Sequence, residues 1–314
     1  MESRNKPKVI VIVGPTASGK TALSIELAKK INGEIVSCDS MQIYKDMNIG
    51  SAKPTIDEMQ GIKHYLIDVV EPTERFSVAE YKKRAEQAIE EILKKGKVPI
   101  VIGGTGLYAN SLIYGIEYNE IEFDEKFRND LMKKAETEEG LQLLYEEAKK
   151  IDPIAVEKIS NNDKKRIIRI IEIFHSTGKT KTQQEIESRM NSIKYDYKVF
   201  AINIERTILY ERINKRVDIM IEQGLIKEVQ DIIAKYNDFP TAMQAIGYKE
   251  IVEYLNGKIT KEEAIEKIKQ ESRRYAKRQI TWFKRIENLI WLNGLNTIQN
   301  NIDIILEEID WEKY

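Results

Sequence analysis

The chain has 314 residues, 32% of them charged and 42% apolar, and a net charge of −1. That length suits about two domains with a substantial core, and no apolar run approaches the ~20 residues that span a membrane. A single cysteine (Cys38) and two histidines (His64, His175) argue against a disulfide framework, a thiolate metal cluster or a histidine-based triad, and fit a reducing, cytoplasmic setting.

Residues 1–7 show no signal-peptide core and lead into Val9-Ile10-Val11-Ile12-Val13, which predicts a buried strand. Gly14-Pro15-Thr16-Ala17-Ser18-Gly19-Lys20-Thr21 follows at once and fits the phosphate-loop pattern G-x-x-x-x-G-K-[ST]. The next residues, Thr21 to Ala28, read as an amphipathic helix. Its first N–H groups and dipole favour an anion, Lys20 adds a point charge, and the Thr21 hydroxyl is suited to Mg²⁺. The chain is therefore expected to bind a polyphosphate.

Further strands are predicted at Glu34–Cys38, Tyr65–Val70 and Val98–Ile102, with a long helix from about Val78 to Lys95. This alternation predicts an α/β fold, a P-loop NTPase-like parallel sheet flanked by helices, with ligands at the carboxyl ends of the strands. Asp39, Asp68 and Thr105 fall at such ends. Asp39 suits Mg²⁺ binding, a general base, or a helix N-cap. Gly103-Gly104-Thr105-Gly106 marks either a close backbone approach to a ligand or an ordinary turn. His64 and His175 read as structural, and Cys38 as a small core residue.

From about Glu120 to Tyr195 the chain becomes highly charged and helical, which predicts a helical insertion domain (120–195) within a core built from 1–119 and 196–314. Lys164-Lys165-Arg166-Ile167-Ile168-Arg169 is basic there. Strands are expected at Tyr197–Ile204 and Leu289–Leu292, with helices between them. Arg212 and Arg216, one helical turn apart, suit either a diphosphate clamp or a solvated face. The stretch Arg273 to Arg285 is basic throughout and carries Tyr275, Trp282 and Phe283. Those rings suit RNA stacking and core packing equally.

Taken together, these motifs resemble the bacterial tRNA dimethylallyltransferases. The resemblance rests on Gly14 to Thr21, Asp39-Ser40-Met41-Gln42-Ile43-Tyr44, Asn48 to Pro54, His64 to Asp68 and Gly103 to Tyr108. It continues through Asn162-Asp163, Arg166 and Arg169, Ser176 to Thr180, Gly247-Tyr248 and Ala276 to Trp282. It implies transfer of a dimethylallyl group from dimethylallyl diphosphate to the exocyclic amine of an adenosine. That adenosine lies 3′-adjacent to the anticodon in tRNAs reading codons that begin with U. The phosphate loop would hold the isoprenoid diphosphate, with Mg²⁺ at Thr21 and Arg216 stabilising the leaving group. Asp39 would align the amine and accept its proton, with Thr105 beside the reacting groups. The same resemblance implies tRNA contacts by Asp39, Ser40, Met41, Gln42, Arg128, Lys165, Arg166, Arg169, Gly247, Lys277, Arg278, Gln279 and Trp282. It implies a monomer that binds the tRNA anticodon stem-loop and needs no membrane or obligate protein partner. Gln244-Ala245-Ile246 stands where many relatives carry an arginine, and no zinc-finger pattern follows.

Two other readings fit parts of the chain. A small-molecule kinase accounts for the phosphate loop and Asp39, but not for the insertion or the aromatic-basic helix. A nucleotide-dependent RNA-binding switch would carry N-K-x-D, and Asn214-Lys215-Arg216-Val217-Asp218 has the wrong spacing.

Overall fold

The computed structural model describes residues 6–117, 124–188 and 193–310. Its frame is a parallel sheet of six strands among the described residues: β1 (Lys8–Val13), β2 (Gly33–Ser37), β3 (His64–Tyr65), β4 (Val98–Gly103), β5 (Asp196–Asn203) and β6 (Ile290–Asn293). Their order is β3-β2-β4-β1-β5-β6. Strand β1 lies inside, with Ile10 opposite Ile100 of β4 and Lys198 of β5. Parallel neighbours require crossovers, and the helices that make them cover both faces of the sheet. This explains why β1 reads as an unbroken apolar run instead of an alternating one.

In chain order the first helices are α1 (Lys20–Lys30), α2 (Ile56–Met59), α3 (Val78–Lys94) and α4 (Gly106–Ile113). Next come α5 (Glu125–Lys134), α6 (Glu138–Ile151), α7 (Pro153–Val156), α8 (Lys164–Thr177) and α9 (Lys181–Ser188). After β5 follow α10 (Arg206–Glu222), α11 (Leu225–Lys235), α12 (Tyr248–Leu255), α13 (Lys261–Phe283) and α14 (Ile298–Glu308). Helix starts follow side-chain capping: Ser77, Thr137 and Thr260 each accept a backbone N–H from the first turn.

The chain divides into two compact units, residues 1–113 with 194–314, and residues 114–193. The smaller unit thus begins at Tyr114, ahead of the charged stretch that starts at Glu120. The larger unit carries two hydrophobic clusters. One packs the sheet around Ile12, Leu27, Phe200 and Leu292; the other joins Tyr44 and Met47 to Val229, Tyr248 and Ile268 of the later helices. The smaller unit has its own core of Leu144, Ile167, Ile168 and Ile171.

The third strand is shorter than the apolar run Tyr65–Val70 predicts. It ends after Tyr65 because Leu66 and Asp68 take left-handed φ values of 62° and 55°. Leu66 turns inward and is buried, while Asp68 swings out to pair with Lys53. Val70 keeps only an isolated bridge to Tyr44.

Phe200 is fully buried in the sheet cluster. Phe200→Ala is expected to cost about 3–5 kcal/mol in chemical denaturation, and a loss below about 1 kcal/mol would contradict this packing.

Candidate active site

At the carboxyl ends of β1, β2 and β4 lies a cavity of about 440 Å³, lined entirely by residues of the larger unit. Four phosphate-loop residues face it: Thr16, Ala17, Lys20 and Thr21. Gly14, Pro15 and Ser18 are buried beneath, and Gly19 enters α1 at φ 88°, a left-handed position that suits glycine. Lys20 Nζ donates to the Pro15 carbonyl at 2.7 Å.

Of the two arginines one helical turn apart, only Arg216 of α10 lines the cavity, and Arg212 lies on an exposed face. Burial, reinforced by the Arg216 charge, pushes Lys20 down to about 7, with the Asp39 carboxylate opposing the shift. Burial also lowers Arg216, again against Asp39.

No helix follows Asp39: residues 40–43 form a turn, so it is not the helix N-cap that its sequence position suits. Its Oδ1 accepts from the N–H groups of Met41 (2.8 Å) and Gln42 (3.3 Å), capping the turn after β2. Its Oδ2 makes no hydrogen bond among the described residues, and the residue lines the cavity. Thr105 Oγ1 accepts from Ser40 N–H at 3.0 Å and donates to Ser40 Oγ at 3.3 Å. Tyr275 lines the cavity, and burial raises its hydroxyl pKa. Thr105 therefore braces the turn that carries Asp39.

Ser40, Met41, Gln42, Gly247, Arg278 and Gln279 line this cavity too, as do Gln244, Ala245 and Ile246. The Gln42 amide is spent within the protein: Oε1 accepts from Ser37 Oγ at 3.1 Å, and Nε2 donates to the carbonyls of Ser51 and Ala52 at 3.4 and 3.2 Å. These bonds fix the amide in the cavity wall. Lys277 is exposed on α13. Trp282 is half-buried with its indole N–H unpartnered, and Phe283 is fully buried. The two aromatics thus divide, Phe283 to the core and Trp282 against the Gly106 turn.

The Gly103–Gly106 turn is a close backbone approach, but to protein. A Cβ on Gly103 would lie 2.0 Å from the Cys38 carbonyl oxygen, and one on Gly106 would lie 2.3 Å from Trp282 Cδ1. Cys38 is buried, which pushes its thiol up to about 12. This fits its reading as a small core residue.

The remaining expected RNA contacts lie in the smaller unit. Arg128 Nη1 donates to both oxygens of buried Glu172 at 2.8 and 2.9 Å, and Arg169 pairs with the same carboxylate at 3.5 Å. Lys165 and Arg166 are exposed on α8. Glu172 thus orients two arginines at once.

Three features were not legible in sequence. His64, read as structural, lines the cavity; its Nδ1 donates to the Ile62 carbonyl at 2.9 Å, and burial lowers its pKa. Glu228 of α11 accepts from the N–H groups of Asn48 (2.9 Å), Ile49 (2.7 Å) and Gly50 (3.1 Å) and from the Tyr248 hydroxyl (2.7 Å). Lys53 donates to the Tyr44 carbonyl at 2.8 Å and pairs with Asp68, so Asp68 serves this loop and is not among the cavity residues. The stretch from Asn48 to Pro54 is in this way held from two sides, presenting Gly50, Ser51 and Ala52 to the cavity. Four donors converging on Glu228 form the one signal, and they come from segments distant in sequence.

Removing that carboxylate leaves several donors without their acceptor. Glu228→Ala is expected to cost about 2–4 kcal/mol in denaturant unfolding, with Glu228→Gln recovering part; a cost near zero would mean the loop is held by other means. Lys20 sets a pH dependence. Its depressed pKa means the ammonium is present below about pH 7 and lost above it, so binding an anion at higher pH requires proton uptake. The affinity for inorganic diphosphate is expected to fall by up to roughly tenfold per pH unit above pH 7, beyond the ligand's own titration. Lys20→Arg, which stays charged, should lose this extra dependence. Identical pH profiles for the two chains would rule it out.

An IPP transferase family model matches residues 42–286. A tRNA dimethylallyltransferase of Acetivibrio thermocellus is 53% identical over 91% of this chain and 91% of its own length. One of Caldanaerobacter subterraneus is 52% identical over 90% and 91%. A solved tRNA isopentenylpyrophosphate transferase of Staphylococcus epidermidis superposes with a TM-score of 0.71 at 46% identity, covering 97% of this chain and 99% of that one. A eukaryotic dimethylallyltransferase solved acting on tRNA gives 0.79 at 31% identity, covering 97% and 80%. The chain belongs to the IPP transferase family, the prenyltransferases that modify tRNA.

Proposed function

We propose that the cavity holds dimethylallyl diphosphate over the phosphate loop. The dimethylallyl group passes to the exocyclic amine of the adenosine 3′-adjacent to the anticodon, in tRNAs reading codons that begin with U. The observation that carries this reading is the convergence of Lys20, Arg216 and the unbonded oxygen of Asp39 on one cavity.

The chemistry follows from that placement. As the allylic C–O bond breaks, its electron pair leaves on the diphosphate, and negative charge grows where Lys20, Arg216 and the loop N–H groups stand. The amine nitrogen bonds to the allylic carbon, and its surplus proton passes to the Asp39 carboxylate. Thr105 holds the Asp39 turn in register through Ser40. The donor set accommodates Mg²⁺: Thr21 and Asp39 offer oxygens in the cavity, and no cluster of three or more His, Cys, Asp or Glu forms a closed cage among the described residues. Thr21 and Asp39 are the residues that would hold the ion. When bound, it offsets charge on the departing diphosphate.

The anticodon stem-loop is the second substrate. Its adenosine has to leave the loop's stack to enter a pocket of this kind. Ser40, Met41, Gly247 and Arg278 line the cavity it would enter, Lys277 and Trp282 extend the surface along α13, and Arg128, Lys165, Arg166 and Arg169 offer charge for phosphates from the smaller unit.

The test is transfer of label from radiolabelled dimethylallyl diphosphate to unmodified tRNA. Asp39→Asn is expected to lower kcat by about 10²–10⁴-fold with tRNA binding retained. Arg216→Ala should raise the KM for dimethylallyl diphosphate about tenfold and leave tRNA affinity nearly intact. A folded native chain that labels no tRNA would overturn the reading.

A further inference from the structure

Gln279 sits in the basic helix α13, yet only 5% of it is exposed. Its Oε1 accepts from the backbone N–H of Thr16 at 3.0 Å, and its Nε2 donates to the Gly104 carbonyl at 2.9 Å. The orientation of the amide is dictated, since an N–H can only donate and a carbonyl can only accept. Thr16 belongs to the loop after β1, and Gly104 to the turn after the neighbouring strand β4. A Cβ on Gly104 would lie 2.2 Å from Gln279 Nε2, so the missing side chain makes the slot the amide occupies. The neighbours Lys277 and Arg278 are exposed.

We infer that Gln279 is a positioning residue that braces the phosphate loop, in place of the tRNA contact that its motif implies. The brace matters because the loop has few supports of its own: Ala17 holds a left-handed φ of 61° without being glycine, and α1 begins at Gly19 with no side-chain cap. Fixing Thr16 from the far end of the chain holds the loop N–H groups in register before an anion arrives. Glutamine alone meets both bonds in this geometry. Glutamate would set a carboxylate against the Gly104 carbonyl, and methionine would fill the volume and leave a buried donor and acceptor unmet.

This inference rests on the reading of the loop as a diphosphate cradle, and the experiment separates the two. Inorganic diphosphate is titrated by calorimetry into the native chain and into Gln279→Met, Gln279→Glu and Lys277→Ala, alongside tRNA binding by fluorescence anisotropy. Both Gln279 variants are expected to weaken diphosphate binding roughly tenfold or more and to raise the KM for dimethylallyl diphosphate, with tRNA affinity within about twofold of native. Lys277→Ala should do the reverse. Gly104→Ala, which crowds the amide from the other side, should repeat the Gln279 pattern and guards against a variant that fails to fold. Diphosphate affinity unchanged in Gln279→Met and Gly104→Ala, with or without a loss of tRNA binding, would overturn the brace alone. A native chain that does not bind inorganic diphosphate would overturn the cradle and the brace together.

Discussion

Lys20, Arg216 and Asp39 share one cavity, and much of the site's chemistry depends on how incompletely Asp39 offsets those two cations. Removing Lys20 and Arg216 from water is unfavourable, and the Arg216 charge further depresses the affinity of Lys20 for its proton. Asp39 relieves only part of this. In the proposed function a diphosphate supplies the balancing negative charge, so the site is the complement of its ligand. Since the stabilisation grows as charge moves onto the leaving group, the same arrangement favours bond breaking over simple binding.

Helix α13 has two distinct sides. Ala276, Gln279, Phe283 and, just past its end, Ile286 are buried at helical spacing, while Lys277, Arg278, Thr281, Lys284 and Arg285 are exposed. The buried side packs against α10, α12 and α4. The exposed side is positive and fits a polyanion. One helix therefore joins the wall of the small-molecule cavity to a surface suited to RNA, and Gln279 and Trp282 meet the glycine turn between them.

What the sequence disclosed follows from how local each signal is. The phosphate loop, the buried strand before it and the helix after it are contiguous, so spacing alone placed Lys20 and Thr21. Asp39 was legible because it follows a strand end, and the sheet's order puts that end beside β4 and one strand away from β1. The turn at Gly103–Gly106 was seen, but its purpose was not, because the groups that need the missing side chains are Gln279 and Trp282, far along the chain. Glu228 and the Lys53–Asp68 pair were invisible for the same reason: their meaning lies in contacts across long sequence separations. An apolar run also misjudged β3, since buried side chains at Leu66 and Val70 do not require an extended backbone.

The sheet order carries a consequence for how the chain is made. On the ribosome, β1 emerges first and meets β4 within about a hundred residues. Its other neighbour, β5, follows only after residues 114–193, which can bury a core of their own. Until then one edge of the central strand has no partner. The phosphate loop waits longer still, because the glutamine that holds Thr16 lies on the penultimate helix. The part of the site synthesised first is the part completed last, so a nascent chain can have nearly all of its sheet and still lack a finished anion cradle.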